Sequence, residues 1–241
     1  MPRFFVEREE INDHTALIRG ADAVHIGRSL RMRLGDELTV CCEGRDYICR
    51  IDTISDEQCT LTVLSSGEGQ GEPKTRLTLY QAVPKGDKLD TIVQKSVELG
   101  AAEIVPVLTA RCVSRPDEKS FRKKRERLSR IALEAAKQCG RSIVPEVGEM
   151  ISLDECAKRL GRHETGLICY EKGGAPLSET VPADTGDIGV FIGSEGGFDE
   201  EEVEKCRANG AKVIGMGSRI LRCETAPLAA IAIIMNLTGN M

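Results

Sequence analysis

Two glycine-rich stretches near the end of the chain decide its fold: VFIGSEGGF (190–198) and VIGMGSRILRCETAP (213–227). Each begins with apolar residues typical of a buried strand, passes through a glycine-rich turn and continues into residues that favour a helix. Glycine has no Cβ, so it permits tight turns and lets the backbone approach a ligand closely. Each stretch therefore predicts a strand, a glycine loop and a helix, in that order.

The chain from Pro73 onward alternates strand-like and helix-like segments. The predicted strands are LTLYQAV, EIVPVL, a short strand around Val144, GLICY, IGVFIG and KVIG. The predicted helices are KLDTIVQKSVELG and SFRKKRERLSRIALEAAKQCG, closed by Gly100 and Gly140, then SLDECAKRLG with a capping box from Ser152 to Glu155, DEEEVEKCRANG, and an apolar helix over residues 225–237. This alternation predicts an α/β domain whose parallel sheet is covered by helices on both faces.

The first 66 residues have a different pattern. Short apolar runs such as ELTVCC, YICRIDTI and CTLTVLS are separated by turn signals, and only residues 20–34 favour a helix. We expect a small β-barrel or open sheet here. The polar, glycine-rich segment SSGEGQGEP (65–73) is interpreted as a linker, which gives predicted domains at 1–72 and 73–241.

Composition limits the possible functions of this 241-residue chain. Aromatic residues make up 3% and Trp is absent, which argues against a base-stacking platform as the main device. The net charge is −5, yet residues 111–145 contain eleven Lys or Arg against four Asp or Glu. No segment is long and apolar enough to span a membrane, and the N-terminus is too charged for a signal peptide. We therefore expect a soluble cytoplasmic protein.

The ten cysteines do not indicate a metal site. None has C-x-x-C spacing and the chain has only three His, so we expect no bound metal. Most of them lie in apolar runs such as LICY and VCC. This placement is typical of small buried residues in a reducing cytosol. A single reactive thiol is the alternative.

The acidic character of the first glycine loop narrows the choice of ligand. Ligands of open parallel sheets bind at the carboxyl ends of the strands, where both loops lie. Neither loop matches the dinucleotide or P-loop pattern, and the sequence SEGGFDEEE would repel phosphate. S-adenosylmethionine, with a cationic sulfonium and ribose hydroxyls, suits such a loop. The alternative is that the glycines at 193, 196, 197, 215 and 217 only form tight turns.

The two loops, read as IGSEGGFDEEE and MGSRILRCETAPLAAI, resemble the RsmE family of ribosomal RNA uridine-N3 methyltransferases, within the SPOUT class. Further blocks that resemble the family are MPRFFV, HIGRSLRMRLGDEL (25–38), IVQKSVELGAAEIVPV (92–107) and EAAKQCGRSIVPEV (134–147). The resemblance thus extends along the whole chain. Ser194 stands where the family usually has Pro, and Cys223 where it usually has Thr or Ala.

The resemblance implies a SPOUT-type trefoil knot over about residues 190–241, which forms the cofactor pocket, and a PUA-like N-terminal barrel that helps to bind RNA. It also implies a homodimer and methylation of N3 of a uridine in 16S ribosomal RNA, on free RNA or on the small subunit. Two alternatives stay open: a SPOUT enzyme acting on another RNA base or a ribose 2′-hydroxyl, and a non-catalytic ribosome assembly factor.

Three groups of candidate residues follow. Those expected to bind the cofactor are Gly193, Glu195, Gly196, Gly197, Met216, Gly217, Ile220, Leu221, Arg222 and Ala226. Arg222 or Arg219 is expected to stabilise the uridine anion, and Glu224 or Glu195 to accept the N3 proton. Those expected to contact RNA are Arg3, Arg28, Arg31, Arg111, Arg122 and Lys123. Thr225 is also expected to cap the last helix.

Overall fold

The computed structural model describes residues 1–241 and divides into two compact units. The first comprises Met1–Glu72 together with Ala136–Val144, and the second comprises Pro73–Ala135 together with Pro145–Met241. None of the helices combines the length and apolar character required to cross a membrane.

The first unit is built on a five-stranded sheet. Its elements are β1 (Arg3–Phe5), β2 (Thr15–Arg19), α1 (Gly20–Val24), a π-helical turn (His25–Ser29), β3 (Glu37–Cys42), β4 (Arg45–Ile54) and β5 (Gln58–Glu68). The strand order is β1-β3-β4-β5-β2, and every pair except β1–β3 is antiparallel. The predicted small β-sheet is therefore confirmed, although β4 and β5 extend beyond the apolar runs that indicated them.

The predicted helix over residues 20–34 ends early. Helical structure stops at Ser29, and Arg31 has a positive φ of 53°. A side chain other than glycine in this left-handed region breaks the helical path. The apolar residues after Ser29 therefore belong to a turn rather than to a helix.

The interpretation of residues 65–73 as a linker is wrong for residues 65–68. Strand β5 continues through Glu68, and residues 65–68 pair with residues 45–48 of β4. Strand β4 is long enough to pair with this segment, so the backbone N–H and C=O groups of residues 65–68 form part of the sheet. Beyond the strand, the Glu72 carboxylate accepts hydrogen bonds from the guanidinium of Arg141, which is buried, and from the Ser142 and Ile143 N–H groups.

The second unit contains an eight-stranded sheet in which every strand pair is parallel. Its elements are β6 (Arg76–Ala82), α2 (Lys88–Glu98), β7 (Glu103–Leu108), α3 (Glu118–Cys139, of which residues 118–135 belong to this unit), β8 (Glu146–Val147), β9 (Ile151–Ser152), α4 (Leu153–Leu160), β10 (Thr165–Cys169), β11 (Ala175–Pro176), α5 (Leu177–Thr180), β12 (Asp187–Ile192), α6 (Glu200–Ala208), β13 (Lys212–Gly215) and α7 (Ala226–Leu237). The strand order is β11-β13-β10-β12-β6-β7-β8, with β9 also paired to β7.

Helices cover both faces of this sheet, as predicted. On one face, Tyr80 and Phe191 pack with residues of α4 and α6 such as Leu160 and Cys206. On the other face, α7 contacts β6, β12 and α2. Alternating side chains of each central strand are thus buried on opposite faces, which explains why these strands are apolar throughout.

Several local features differ from the sequence predictions. The short strand expected around Val144 lies at Glu146–Val147, and β9, β11 and α5 were not predicted. Helix α3 begins before the predicted start because the Asp117 carboxylate accepts from the Ser120 N–H at 2.6 Å. At α4, the Ser152 hydroxyl accepts from the Glu155 N–H at 3.3 Å, but the return bond of a capping box is not formed.

Close packing between β10 and α4 yields the first prediction. A Cβ at Gly166 would lie 2.3 Å from the backbone oxygen of Leu160, so Gly166→Ala must push the end of α4 away. We expect the free energy of unfolding to fall by about 2 kcal/mol, as measured by chemical denaturation. The control is Gly186→Ala, whose Cβ would meet only the Glu164 carboxylate at 3.6 Å. Equal stability of the two variants would contradict the tight contact.

Candidate active site

Three loops meet at one edge of the second unit's sheet. Strand β10 lies between β12 and β13, and all three run in the same direction. Their carboxyl ends therefore share an edge. The loops that follow them, at 169–173, 192–198 and 215–226, line a pocket of about 530 Å³.

All of the predicted cofactor residues lie on the wall of this pocket. They are Gly193, Glu195, Gly196, Gly197, Met216, Gly217, Ile220, Leu221, Arg222 and Ala226. Arg219 also lines it, whereas Glu224 lies behind the wall next to Cys223. Residues from two separate stretches of sequence are thus brought together, and their contact with a ligand stays a prediction.

The conformation of the first loop depends on Gly197 and on the side chains that contact the loop. Gly197 has a φ of +65°, and a Cβ there would lie 2.6 Å from the Glu171 carboxylate. Sequence reasoning missed Glu171, which follows β10 and lines the pocket without an ion-pair partner. Its only signal was its place after a predicted strand. The Arg111 guanidinium fixes the loop from outside by donating to the Gly196 carbonyl at 2.8 Å and to Asp199 at 2.6 Å.

The second loop presents exposed side chains to the pocket. Ile220 is 84% exposed. Arg219 and Arg222 are also exposed, and their guanidinium groups form no hydrogen bond or ion pair within the chain. Both cations are therefore available to a bound anion.

The predicted cap by Thr225 is wrong. Thr225 occupies the N-cap position of α7, but its side chain forms no capping hydrogen bond. Its backbone has φ −89° and ψ −39°, which is helical rather than extended. An extended N-cap residue is what normally aims the hydroxyl at the first-turn N–H groups. Pro227 lies in the first turn of α7, where proline is tolerated.

Lys88, which sequence reasoning missed, contacts residues of both loops. Its ammonium lies 2.9 Å from Glu195 Oε1, 3.2 Å from Glu224 Oε2 and 3.6 Å from Cys223 Sγ. The backbone N–H of Lys85 also donates to Glu195 Oε1 at 3.2 Å. The sequence shows only that the segment PKGDK follows a predicted strand, and the strand order then places that strand beside β12, so the segment lies at the same edge.

This network sets the charge state of its members. Hydrogen bonding to Glu195, and then to Glu224, raises the pKa of Lys88 despite partial desolvation. Burial alone would raise the pKa of Glu195, but hydrogen bonds from Lys88 and from backbone N–H groups outweigh burial and lower it. The Cys223 thiol, its own N–H and Lys88 lower the pKa of Glu224. Both carboxylates are thus held ionised and weakly basic.

The cysteines are free thiols, of which eight are buried. This confirms the prediction for those eight, while Cys139 and Cys169 are half-buried. Burial, followed by the hydrogen bond to Glu224, raises the pKa of Cys223 to about 12. A thiol with such a pKa is a poor nucleophile near neutral pH.

The candidate RNA contacts fall into two groups. Three already have partners: Arg3 pairs with Asp46 at 2.6 Å, Arg28 pairs with Asp56, and Arg111 supports the first loop. Arg31, Arg122 and Lys123 are exposed and form no side-chain hydrogen bond or ion pair.

The basic run RKKRER in α3 is also divided between these two groups. Its remaining cations Lys124, Arg125 and Arg127 bind the Gly86 carbonyl, Glu149 and Asp90 respectively. Only the first two residues of the run are thus free to contact phosphate.

Comparison with known proteins shows the class of protein to which this chain belongs. The model of an RNA methyltransferase domain matches residues 71–235, and that of an RNA methyltransferase PUA domain matches residues 18–64. Ribosomal RNA small subunit methyltransferase E of Bacillus subtilis (strain 168) is 34% identical, covering 97% of this chain and 96% of the relative. The Aquifex aeolicus (strain VF5) protein of the same name is 30% identical over 95% and 97%.

A solved structure agrees with both matches. Ribosomal RNA small subunit methyltransferase E from Neisseria gonorrhoeae, bound to S-adenosyl methionine, has a TM-score of 0.89 and 31% identity, with 98% of each chain covered. The present chain belongs to the family of ribosomal RNA small subunit methyltransferase E.

The support that Asp199 gives to the first loop yields the second prediction. Asp199 forms a capping box with Glu202 at the start of α6 and also holds Arg111. We expect Asp199→Ala to reduce the free energy of unfolding by about 1.5 kcal/mol, because a capping bond and an ion pair are lost. The control Glu204→Ala removes only an exposed ion pair with Arg207 on the same helix. A loss no larger than that of the control would show that Asp199 does not anchor the loop.

Proposed function

We propose that this protein transfers the methyl group of S-adenosylmethionine to N3 of a uridine in the RNA of the small ribosomal subunit. The observation that carries the proposal is the meeting of both glycine loops in one pocket. Support comes from the relative of the same fold that was crystallised with S-adenosyl methionine.

The residues of the pocket fit this cofactor. Its volume lies in the range of small-molecule sites. Ile220, Leu221 and Met216 offer an apolar surface for adenine, and the glycines expose backbone groups that can bind its polar edge. Glu171 supplies a carboxylate with no partner in the chain, which suits ribose hydroxyls or a cationic group. When bound, the sulfonium supplies an already activated methyl group, so no metal is required.

The methyl acceptor sets a second demand on these residues. Uridine N3 carries a proton, and it becomes a good nucleophile only when that proton leaves. Arg222 or Arg219, both without partners, would stabilise the negative charge that develops on the uridine oxygens. Of the two predicted proton acceptors, only Glu195 lines the pocket, and Lys88 weakens the basicity of both. Stabilisation of the anion by arginine therefore carries more of the catalysis than the strength of the base.

RNA binding is assigned to both units. The N-terminal unit would act as the PUA-like domain, with Arg31 as an unpaired cation. Arg122 and Lys123 at the start of α3 would contact phosphates, because neither has a competing carboxylate. Arg3, Arg28 and Arg111 would first have to give up the partners described above, which weakens their candidacy.

The assembly and location of the protein belong to the same proposal. Helix α7 is almost entirely apolar and leaves the Ile233 side chain partly exposed. The Ile220 side chain in the second loop is also exposed. Burial of these exposed apolar side chains against a second copy would stabilise the proposed homodimer. A trefoil knot over about residues 190–241 is proposed as the frame of the pocket. Free thiols throughout the chain suit a reducing cytoplasm.

The function is tested by a product assay. The protein is incubated with methyl-labelled S-adenosylmethionine and small ribosomal subunits from a strain lacking this modification, and the RNA is digested to nucleosides. We expect the label in 3-methyluridine. Label in another base or in a 2′-O-methyl nucleoside would redirect the assignment to a different RNA methyltransferase. Binding of the cofactor without any labelled RNA would contradict the proposed substrate.

The role of the free arginines yields a further prediction. Arg222→Ala should lower kcat about 100-fold at saturating RNA, the loss expected when one group that stabilises a developing anion is removed. Arg219→Ala is the matched variant, since that side chain lines the same wall without a partner. If Arg219 has the role instead, the large loss will appear in that variant. Wild-type turnover in both variants would exclude anion stabilisation by either arginine.

A further inference from the structure

Lys88 joins two loops that have no direct link with each other. No hydrogen bond or ion pair connects residues 193–198 with residues 215–226. Lys88 instead binds Glu195 of the first loop and Glu224 of the second. The separation of the two loops is therefore set through a side chain that belongs to neither.

The anchor itself is rigid. Lys88 is the first residue of α2, and the next helical residues Leu89, Ile92 and Val93 are fully buried under the sheet. The side chain of Lys88 is 33% exposed, so water screens its ion pairs only in part. The backbone at Lys88 is therefore held in place, and movement of either carboxylate would lengthen its ion pair with the ammonium.

Helix stability does not explain a lysine at this position. The N-terminal end of a helix carries a partial positive charge, which disfavours a cation in the first turn. This cost is offset by the carboxylates of Glu195 and Glu224, which would otherwise repel each other. The positive charge of Lys88 therefore stabilises the two loops and does not stabilise the helix.

We propose that Lys88 is a positioning residue that locks the two glycine loops together and so fixes the shape of the pocket for the methyl donor. The inference rests on the proposed function for the identity of that ligand. Lys88 itself does not line the pocket and acts through Glu195 and Glu224. Loss of its charge lets the loops separate, and the pocket then has to be reassembled each time the ligand binds.

The test is the affinity for S-adenosylmethionine, measured by calorimetry on the full chain. Lys88→Met should raise Kd about fivefold and raise the KM for the cofactor, with an unchanged KM for RNA. Lys88→Arg, which keeps the charge, should restore most of the affinity. The control Lys95→Met removes an ion pair with Glu98 from the same helix, far along it from the pocket. That variant should bind as the wild type does.

A double-mutant cycle separates positioning from direct contact. In a Glu195→Gln, Glu224→Gln background, Lys88→Met should have little further effect, because the groups through which Lys88 acts are already neutral. An undiminished effect in that background, or wild-type affinity of Lys88→Met, would overturn the proposal. Should Lys88→Met fail to fold, the carboxamide pair alone tests the same link, and wild-type affinity of that pair would be equally decisive.

The outcomes also separate this inference from the proposed function. A wild-type protein that binds the cofactor but methylates no small-subunit RNA would contradict the substrate and leave the positioning role standing. A wild-type protein that forms 3-methyluridine while Lys88→Met binds normally would contradict only the positioning role. No cofactor binding by the wild type would overturn both.

Discussion

The parallel pairing of β10 with both β12 and β13 is the constraint on which the whole site depends. Because β10 lies between strands that come later in the chain, three loops distant in sequence leave the sheet at one edge. Each loop must then turn sharply without filling the space in front of the strands. Glycines with positive φ at 197 and 217 make this possible, and a Cβ at position 197 would lie only 2.6 Å from the Glu171 carboxylate.

Charge is distributed unevenly around the pocket that results. The carboxylates of Glu195 and Glu224 are committed to Lys88, whereas Arg219, Arg222 and Glu171 have no partner in the chain. Side chains that already have partners fix the shape of the pocket, since they would lose strong hydrogen bonds if they moved. Side chains without a partner in the chain are available to bind a ligand. An apolar wall with free groups of both signs suits a ligand that carries a cation, hydroxyls and an apolar ring.

Much of this arrangement could be predicted from the sequence, because it depends on local patterns. Apolar runs followed by glycine gave the strands β10, β12 and β13, the loops and the wall residues. What the sequence did not reveal depends on tertiary contacts. The strand at residues 65–68 forms because β4 is long enough to pair with it. Lys88 and Glu171 gain their roles only from the strand order.

Local sequence signals were also overridden at individual side chains. Thr225 is a good capping residue by type, but the preceding loop holds its backbone in a helical conformation. The cations of RKKRER look equivalent in sequence, yet Arg125 and Arg127 face carboxylates whereas Arg122 does not. Residue type therefore sets what a side chain can do, and packing decides which option is used.

The central claim is that two separate glycine loops form a single cofactor pocket. The most direct test is hydrogen–deuterium exchange of the full chain with and without S-adenosylmethionine. The backbone amides of residues 193–198 and 215–221 should become protected together, with the same concentration dependence, while the five-stranded sheet of the first unit is unchanged. Protection confined to one loop, or found in neither, would contradict the claim.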